Sequence, residues 1–336
     1  MKAYTHAGKQ GIEGTKIEEM DIRRPGPGEV KIKVVTAGLN HRDLFVLHRH
    51  TDNSPLIIGS DAAGIVEEAG EDVKNVQEGD EVIINPGLGW EEESESPPEG
   101  FQIVGFPDHG TFAEHVVVPA AVVEPKPPHL SWEEAGVLSL SGLTAYRALF
   151  TRADLQSGST VLLPGAGSGA VTFMVQCAKK TGARVIVTSR SEDKRKKALE
   201  LGADAAIESS GDWEEQLEGE KVDVVVETVG AATFHKSLKQ LKKGGSLVIF
   251  GASAGDEVKL NLRDFFYGQY NLLGSTMGSH EEYRAMLAFV SKHNIHPVVD
   301  RVFSIDKAEE ALKYLEKGVQ FGKVALRVSG EKGEEV

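Results

Sequence analysis

Two periods of hydrophobicity divide the chain. In its early part apolar residues alternate with polar ones: Val30, Ile32 and Val34 of EVKIKVV fall on one face of a half-buried strand, after a turn built on Pro25 to Gly28. LIIGSDAAGIVEEAG, EGDEVIINPG and TFAEHVVVP add short strands bounded by Gly, Pro and Asp, and EEESESPPEG (91–100) reads as an acidic surface loop. Many short strands with few helical segments predict a small barrel-like domain.

From residue 130 onward the period lengthens. SWEEAGVLSLSGLTAYRALF has helical spacing, with Ser131 placed to cap its start. Strand candidates TVLLP (160–164), RVIVT (184–188), VDVVVE (222–227), SLVIF (246–250) and NLLGS (271–275) then alternate with helical segments near 168–181, 191–201, 231–242 and 279–293. The strands are β-branched and apolar on both faces, so the alternation predicts a parallel sheet covered on both sides. After His296 short strands return in VVDRVFSI and GKVALRV, and the tail is expected to rejoin the first domain. The expected division is 1–125 with 295–336 for the β-rich domain and 126–294 for the α/β domain.

Composition narrows the function. At 336 residues the chain exceeds the roughly 250–300 residues that one core serves, which agrees with two domains. A formal charge of −14 argues against a nucleic-acid groove or an anionic membrane surface, yet leaves room for a small polyanion held by a few local donors. The single cysteine, Cys177, excludes an internal disulfide and any multi-cysteine metal cage, and fits a reducing cytoplasm. MKAYTHAGKQGIEG lacks the apolar centre of a signal peptide, and no apolar run approaches the ~18–20 residues of a membrane span. A cytoplasmic protein is the expectation.

The chemistry begins at VLLPGAGSGAV. Gly165-x-Gly167-x-x-Ala170 follows a strand and opens a helix, the arrangement that seats a pyrophosphate on free amides at a helix N-terminus. Such turns also cap helices that bind nothing, so the next strand matters. NAD sites usually end it with Asp or Glu for the ribose hydroxyls. Here the end reads Thr188, Ser189, Arg190, Ser191, with Lys194 and Arg195 a turn later. Ser189, Arg190 and Lys194 suit a 2′-phosphate dianion, and NADPH is the cofactor expected. The alternative is solvated surface cations, with Ser191 capping a helix and Glu192 and Asp193 diluting the charge.

RPGPGEVKIKV, AGLNHRDL, IIGSDAAGIVEEAG, VQEGDEVI, HGTFAEHVVVP, LSGLTAYRAL, the Gly-rich turn, KALELGAD, ETVG and GKVALRV occur in this order along the chain. Together they resemble the medium-chain dehydrogenase/reductase superfamily. The resemblance implies an α/β protein: a GroES-like β-barrel domain closed by the C-terminal segment, an inserted Rossmann domain with a doubly wound parallel sheet, and a cleft between them. Zinc-dependent members carry Cys where this chain has Asn40, His and Glu where it has Ser60 and Asp61, and a ligand where it has Leu140. Asn, Ser and Leu do not make a zinc site, which needs about three Cys, His or carboxylate ligands. No cysteine stands near residues 88–110, where relatives carry a structural zinc lobe. No metal is expected. The His48–Arg49–His50 pair and His109 read as surface and turn residues, and Cys177 as core.

Asparagine also replaces the cysteine in the zinc-lacking quinone oxidoreductase branch. In the turn the family's last glycine falls at Val171, one residue beyond Ala170, so two alignments remain open. The candidate cofactor contacts there are Gly165, Ala166, Gly167, Ser168, Gly169, Ala170 and Val171. The resemblance adds Thr228, Phe250, Gly251, Ala252, Ser275, Thr276 and Met277 at strand ends, and Gly322 and Lys323 from the tail. Asn40 would contact the substrate oxygen or the nicotinamide amide, Arg42 would stabilise negative charge, Asp43 would orient the turn, and Thr144 would hold the nicotinamide. The implied activity is hydride transfer from NADPH to a quinone or α,β-unsaturated carbonyl without zinc. The alternatives are a zinc-independent alcohol or aldehyde dehydrogenase and a largely non-catalytic NADPH-binding protein. A homodimer is implied by family analogy, and the physiological substrate stays open.

Overall fold

A computed structural model describes residues 1–329 of the chain. It divides into two compact units, Met1–Ser141 joined by the chain from Gly278 onward, and Gly142–Met277.

The second unit is an α/β layer structure. Its sheet has six strands in the order Ala205–Glu208, Arg184–Ser189, Thr160–Pro164, Val222–Glu227, Leu241–Ile249, Asn271–Gly274, all parallel. The order reverses between the strands at 160 and 222, the switch point at which open α/β sheets bind ligands. Val161, Leu162, Leu163, Val185, Ile186, Val187, Val225 and Val226 are wholly buried, as expected for strands covered on both faces. Helices Gly169–Thr181, Glu192–Glu200 and Ala231–Gln240 connect the strands close to their expected positions. The Ala205–Glu208 strand was not foreseen: AAIE is short, alanine-rich and follows Asp204, so no β-branched run marks it.

The first unit is built on a seven-stranded sheet running Val123–Pro125, Glu81–Ile84, Asp61–Ala69, Glu29–Gly38, Lys323–Arg327, Val299–Ser304, with His115–Pro119 also paired to Glu29–Gly38. Val30, Ile32 and Val34 are fully buried, on the face their alternation marked. The tail does rejoin this unit: Leu326 pairs antiparallel with Ala37 in mid-sheet.

The division falls at 141/142 and 277/278, whereas the pattern placed it at 125/126 and 294/295. Packing explains the difference. The helix Trp132–Gly136 presses on the central strand so closely that a Cβ on Gly136 would lie 2.7 Å from Thr36 Cγ2. The helix His280–His293 is tied to the same unit by a 2.7 Å bond between Tyr283 Oη and Ser139 Oγ. The single long helix expected over 131–150 is broken into Trp132–Gly136, Ser139–Tyr146 and a wider-turned stretch Arg147–Arg152. No described helix is long and apolar enough to cross a membrane.

Candidate active site

In the first unit the Glu29–Gly38 strand runs out into Leu39 and Asn40, and the helix His41–Arg49 begins immediately after. Asn40 has extended backbone geometry, and its N–H donates to Asp43 Oδ2 at 2.7 Å. Asp43 thus fixes the turn from its own helix, as its place in the motif suggested. The Asn40 side chain, 5% exposed, sits between two charges. Lys323 Nζ donates to Asn40 Oδ1 at 2.5 Å, and Asn40 Nδ2 donates to Asp61 Oδ2 at 2.9 Å. Lys323 Nζ also donates to the Leu39 carbonyl at 2.8 Å and lies 3.5 Å from Asp61 Oδ2. Asp61 Oδ1 accepts the Leu140 N–H at 2.8 Å.

This cluster is buried. Asp61 is wholly buried and Lys323 nearly so. Burial pushes the Lys323 ammonium pKa down, against the opposing pull of Asp61 and Asp43. Burial likewise raises the Asp43 carboxyl pKa to about 6, opposed chiefly by the Arg42 charge, and Asp43 Oδ1 has no partner among the described residues. Breaking a buried pair by removing one partner typically costs about 3–5 kcal/mol, so Lys323 and Asp61 depend on each other. Arg42 is half-buried, and its Nη1 donates to Ser60 Oγ at 2.6 Å and to the Val104 carbonyl at 3.0 Å. Its other guanidinium N–H groups form no hydrogen bond among the described residues.

In the second unit the Gly-rich turn leaves the Thr160–Pro164 strand through Gly165 and Gly167, at φ +87° and +100°. A Cβ on Gly165 would come within 3.0 Å of Thr228 Oγ1, so the turn needs glycine both for its backbone and for its neighbour. Gly165 and Ala166 donate to the Thr188 carbonyl, Ser168 to the Gly165 carbonyl, and the Val171 N–H to Ser168 Oγ. That leaves the amides of Gly167, Gly169 and Ala170 without a partner among the described residues, at the positive end of a 13-residue helix.

The other candidate residues cluster at the carboxyl ends of these parallel strands. Thr228 donates to the Pro164 carbonyl at 2.9 Å, and Phe250, Gly251 and Ala252 follow the next strand. Ser275, Thr276 and Met277 follow the last, and Ser275 Oγ is buried without a partner among the described residues. Ser189 ends its strand buried and Arg190 is exposed. Ser191 caps the next helix through the Lys194 N–H at 3.3 Å, and Arg195 Nη1 grips the Ser189 carbonyl at 2.7 Å. Thr144 is buried on the Ser139–Tyr146 helix. Open amides, a buried orphan hydroxyl and a cradle a Cβ would fill suit a dinucleotide.

Comparison with known proteins accords with this geometry. The alcohol dehydrogenase GroES-like domain family matches residues 26–128, and the zinc-binding dehydrogenase family matches 171–292. A zinc-type alcohol dehydrogenase-like protein of Schizosaccharomyces pombe is 32% identical, over 98% of this chain and 99% of its own. The chain is a medium-chain dehydrogenase/reductase. As such it is an NAD(P)-dependent oxidoreductase with a GroES-like domain and a Rossmann sheet. A 2-methylene-furan-3-one reductase of Solanum lycopersicum is 30% identical, over 97% of this chain and 79% of its own. The solved structure of an NAD-dependent alcohol dehydrogenase superposes with a TM-score of 0.91 at 36% identity, covering 98% of this chain and 100% of that one.

The family's name implies zinc, and the residues of this dehydrogenase/reductase do not fit it. Asn40, Ser60 and Leu140 offer one weak oxygen, a hydroxyl already bonded to Arg42 and an alkyl group. Asn40 Oδ1 and Asp61 Oδ2 both face the Lys323 ammonium, and that cation repels a divalent ion.

Two residues were missed or misplaced by sequence reasoning. Asp61 was weighed only as a substituted ligand, yet it joins Asn40, Lys323 and Leu140. Lys323 was expected on the cofactor with Gly322; its ammonium lies instead in the Asn40 cluster. The available signal was a lysine opening KVALR, a strand otherwise buried along nearly its whole length.

Proposed function

We propose that this medium-chain dehydrogenase/reductase is an NADPH-dependent reductase of quinones or α,β-unsaturated carbonyl compounds that works without zinc. The observation that carries the reading is the Lys323–Asn40–Asp61 cluster: an amide bonded to an ammonium and a carboxylate stands at the position of a zinc-ligand cysteine in zinc-dependent relatives. The similarity to a reductase named for 2-methylene-furan-3-one, a ketone conjugated to an exocyclic alkene, supports the substrate class.

The bound cofactor supplies the hydride. The chain supplies the rest. The amides of Gly167, Gly169 and Ala170 receive the pyrophosphate, whereas the Val171 amide is committed to Ser168 Oγ. This favours the alignment that ends at Ala170. Ser189 Oγ and the cations of Arg190 and Lys194 receive the 2′-phosphate, and Thr144, Thr228, Phe250 to Ala252 and Ser275 to Met277 hold the nicotinamide half. Among the described residues Asn40 Nδ2 keeps one hydrogen beyond its bond to Asp61, and Arg42 keeps N–H groups without a partner; both donate to the acceptor's oxygen as negative charge develops there. Conjugation already makes the accepting carbon electrophilic, so hydrogen bonds suffice. A plain alcohol is harder to oxidise without a Lewis acid to acidify it. Water returns the proton.

Alcohol oxidation with NAD is the second reading, favoured by the names of the Schizosaccharomyces pombe relative and of the superposed structure. One assay separates the two. NADPH absorbance is followed with 1,2-naphthoquinone and with an enone, and primary alcohols are tried with NAD and NADP. Quinone or enone reduction is expected; turnover of alcohols alone would overturn the proposal. In the same reading the protein is cytoplasmic and a homodimer.

A further inference from the structure

The Asn40 amide is oriented by chemistry rather than by shape. Lys323 has only donors and the Asp61 carboxylate only acceptors, so Oδ1 must face the ammonium and Nδ2 the carboxylate. A flipped amide would set donor against donor and acceptor against acceptor in a buried site. The Leu39 carbonyl and Asn40 Oδ1 accept from Nζ at 2.8 and 2.5 Å, and Asp61 Oδ2 faces it at 3.5 Å. The ammonium is buried and turned toward acceptors of its own unit rather than toward a cofactor phosphate or ribose.

We propose that Lys323 is a positioning residue of the reduction: its ammonium is the resident cation of the site, and it locks the Asn40 amide so that the free Nδ2–H faces the substrate oxygen. Lys323 touches neither substrate nor cofactor. It acts through Asn40, and it neutralises Asp61, whose uncompensated charge would oppose the negative charge developing on the acceptor. Its catalytic consequence rests on the proposed quinone or enone reduction, but the charge assignment does not.

The test uses Lys323→Met, Lys323→Arg, Asp61→Asn and the Lys323→Met/Asp61→Asn double variant of the full chain. NADPH affinity by fluorescence titration should stay within about twofold of wild type in Lys323→Met, because no cofactor contact is lost. Its kcat with the quinone or enone should fall tenfold or more, since small misplacements of an oriented donor can cost about a hundredfold. KM for the acceptor should change less than kcat, and Lys323→Arg should recover part of the rate. In thermal unfolding the double variant should melt above Lys323→Met alone, because it no longer buries an unpaired carboxylate. That arm needs no substrate and keeps the assignment testable if Lys323→Met barely folds or if the wild type reduces no quinone or enone. Absence of such turnover would sink the proposed function alone. Unchanged kcat in Lys323→Met, a large loss of NADPH affinity, or strictly additive melting shifts would overturn the positioning role.

Discussion

Asp43 and Arg190 are single residues whose surroundings fix an outcome. Burial raises the Asp43 carboxyl pKa to about 6 from an ordinary 3.8, so the folded chain binds its proton more tightly than the unfolded one. Its contribution to stability is full below the ordinary value and is lost as pH rises through about 6. Asp43→Asn keeps an acceptor for the Asn40 N–H and removes the titration. Denaturant melts across that window should show a flatter pH dependence in the variant than in wild type; equal slopes would contradict the burial argument. Arg190 is exposed at the end of the Arg184–Ser189 strand. Replacing it with Asp would remove the proposed charge-assisted hydrogen bond to a 2′-phosphate, worth about 1.5–3 kcal/mol, and add repulsion. The NADPH-over-NADH ratio of kcat/KM should drop roughly tenfold to a hundredfold; an unchanged ratio would remove Arg190 from the 2′-phosphate site. Asn40, Arg42 and Asp43 were legible because one short motif carries all three. Asp61 was passed over because its partners, at 140 and 323, are far away in sequence, and pairing of that range leaves no periodic trace.

Among the elements, the turn after the Val222–Glu227 strand depends on one buried carboxylate. Glu227 Oε1 accepts from the Val229 and Gly230 amides and Thr233 Oγ1, and Oε2 accepts from Ser237 Oγ at 2.5 Å. It thereby holds Thr228 against Pro164, beside the Gly-rich turn. Glu227→Ala would strand several buried donors, at about 1–3 kcal/mol each. A melting temperature well below wild type and weaker NADPH binding are expected, the latter measured by titration at a temperature where the variant is folded. Unimpaired binding would show that the turn is set elsewhere. Strands with dense β-branched runs, such as Val222–Glu227, were legible to the residue. The Leu241–Ile249 strand was not, because its first half is LKKGG, glycine-rich and exposed at Lys242 to Gly244, and it pairs through a register irregularity near Val222. Local propensity yields there to the neighbouring strand.

For the whole molecule, an α/β unit inserted into a β-rich one was legible from the change of period and from the tail's return to strands. The exact division was not, since the loyalty of the helices at 132 and 280 is decided by packing. The proposed homodimer rests on the Asn271–Gly274 edge strand, with Leu272 exposed, and on the exposed Leu262, Phe266 and Tyr267 of the nearby chain. An unprotected apolar edge invites pairing with a second copy. Phe266→Glu with Leu272→Lys should shift the protein from dimer to monomer in sedimentation; a wild type that already sediments as a monomer would dismiss that assembly.

The proposed reduction needs no metal: Asn40 and Arg42 donate to the acceptor oxygen, and Lys323 holds Asn40 in place. The most direct test measures bound zinc and NADPH-driven quinone or enone reduction on the same preparation, before and after exhaustive chelation and after zinc is added back. Substoichiometric zinc and an unchanged rate throughout are the expected result. A rate that falls with the metal and returns with it would contradict the account.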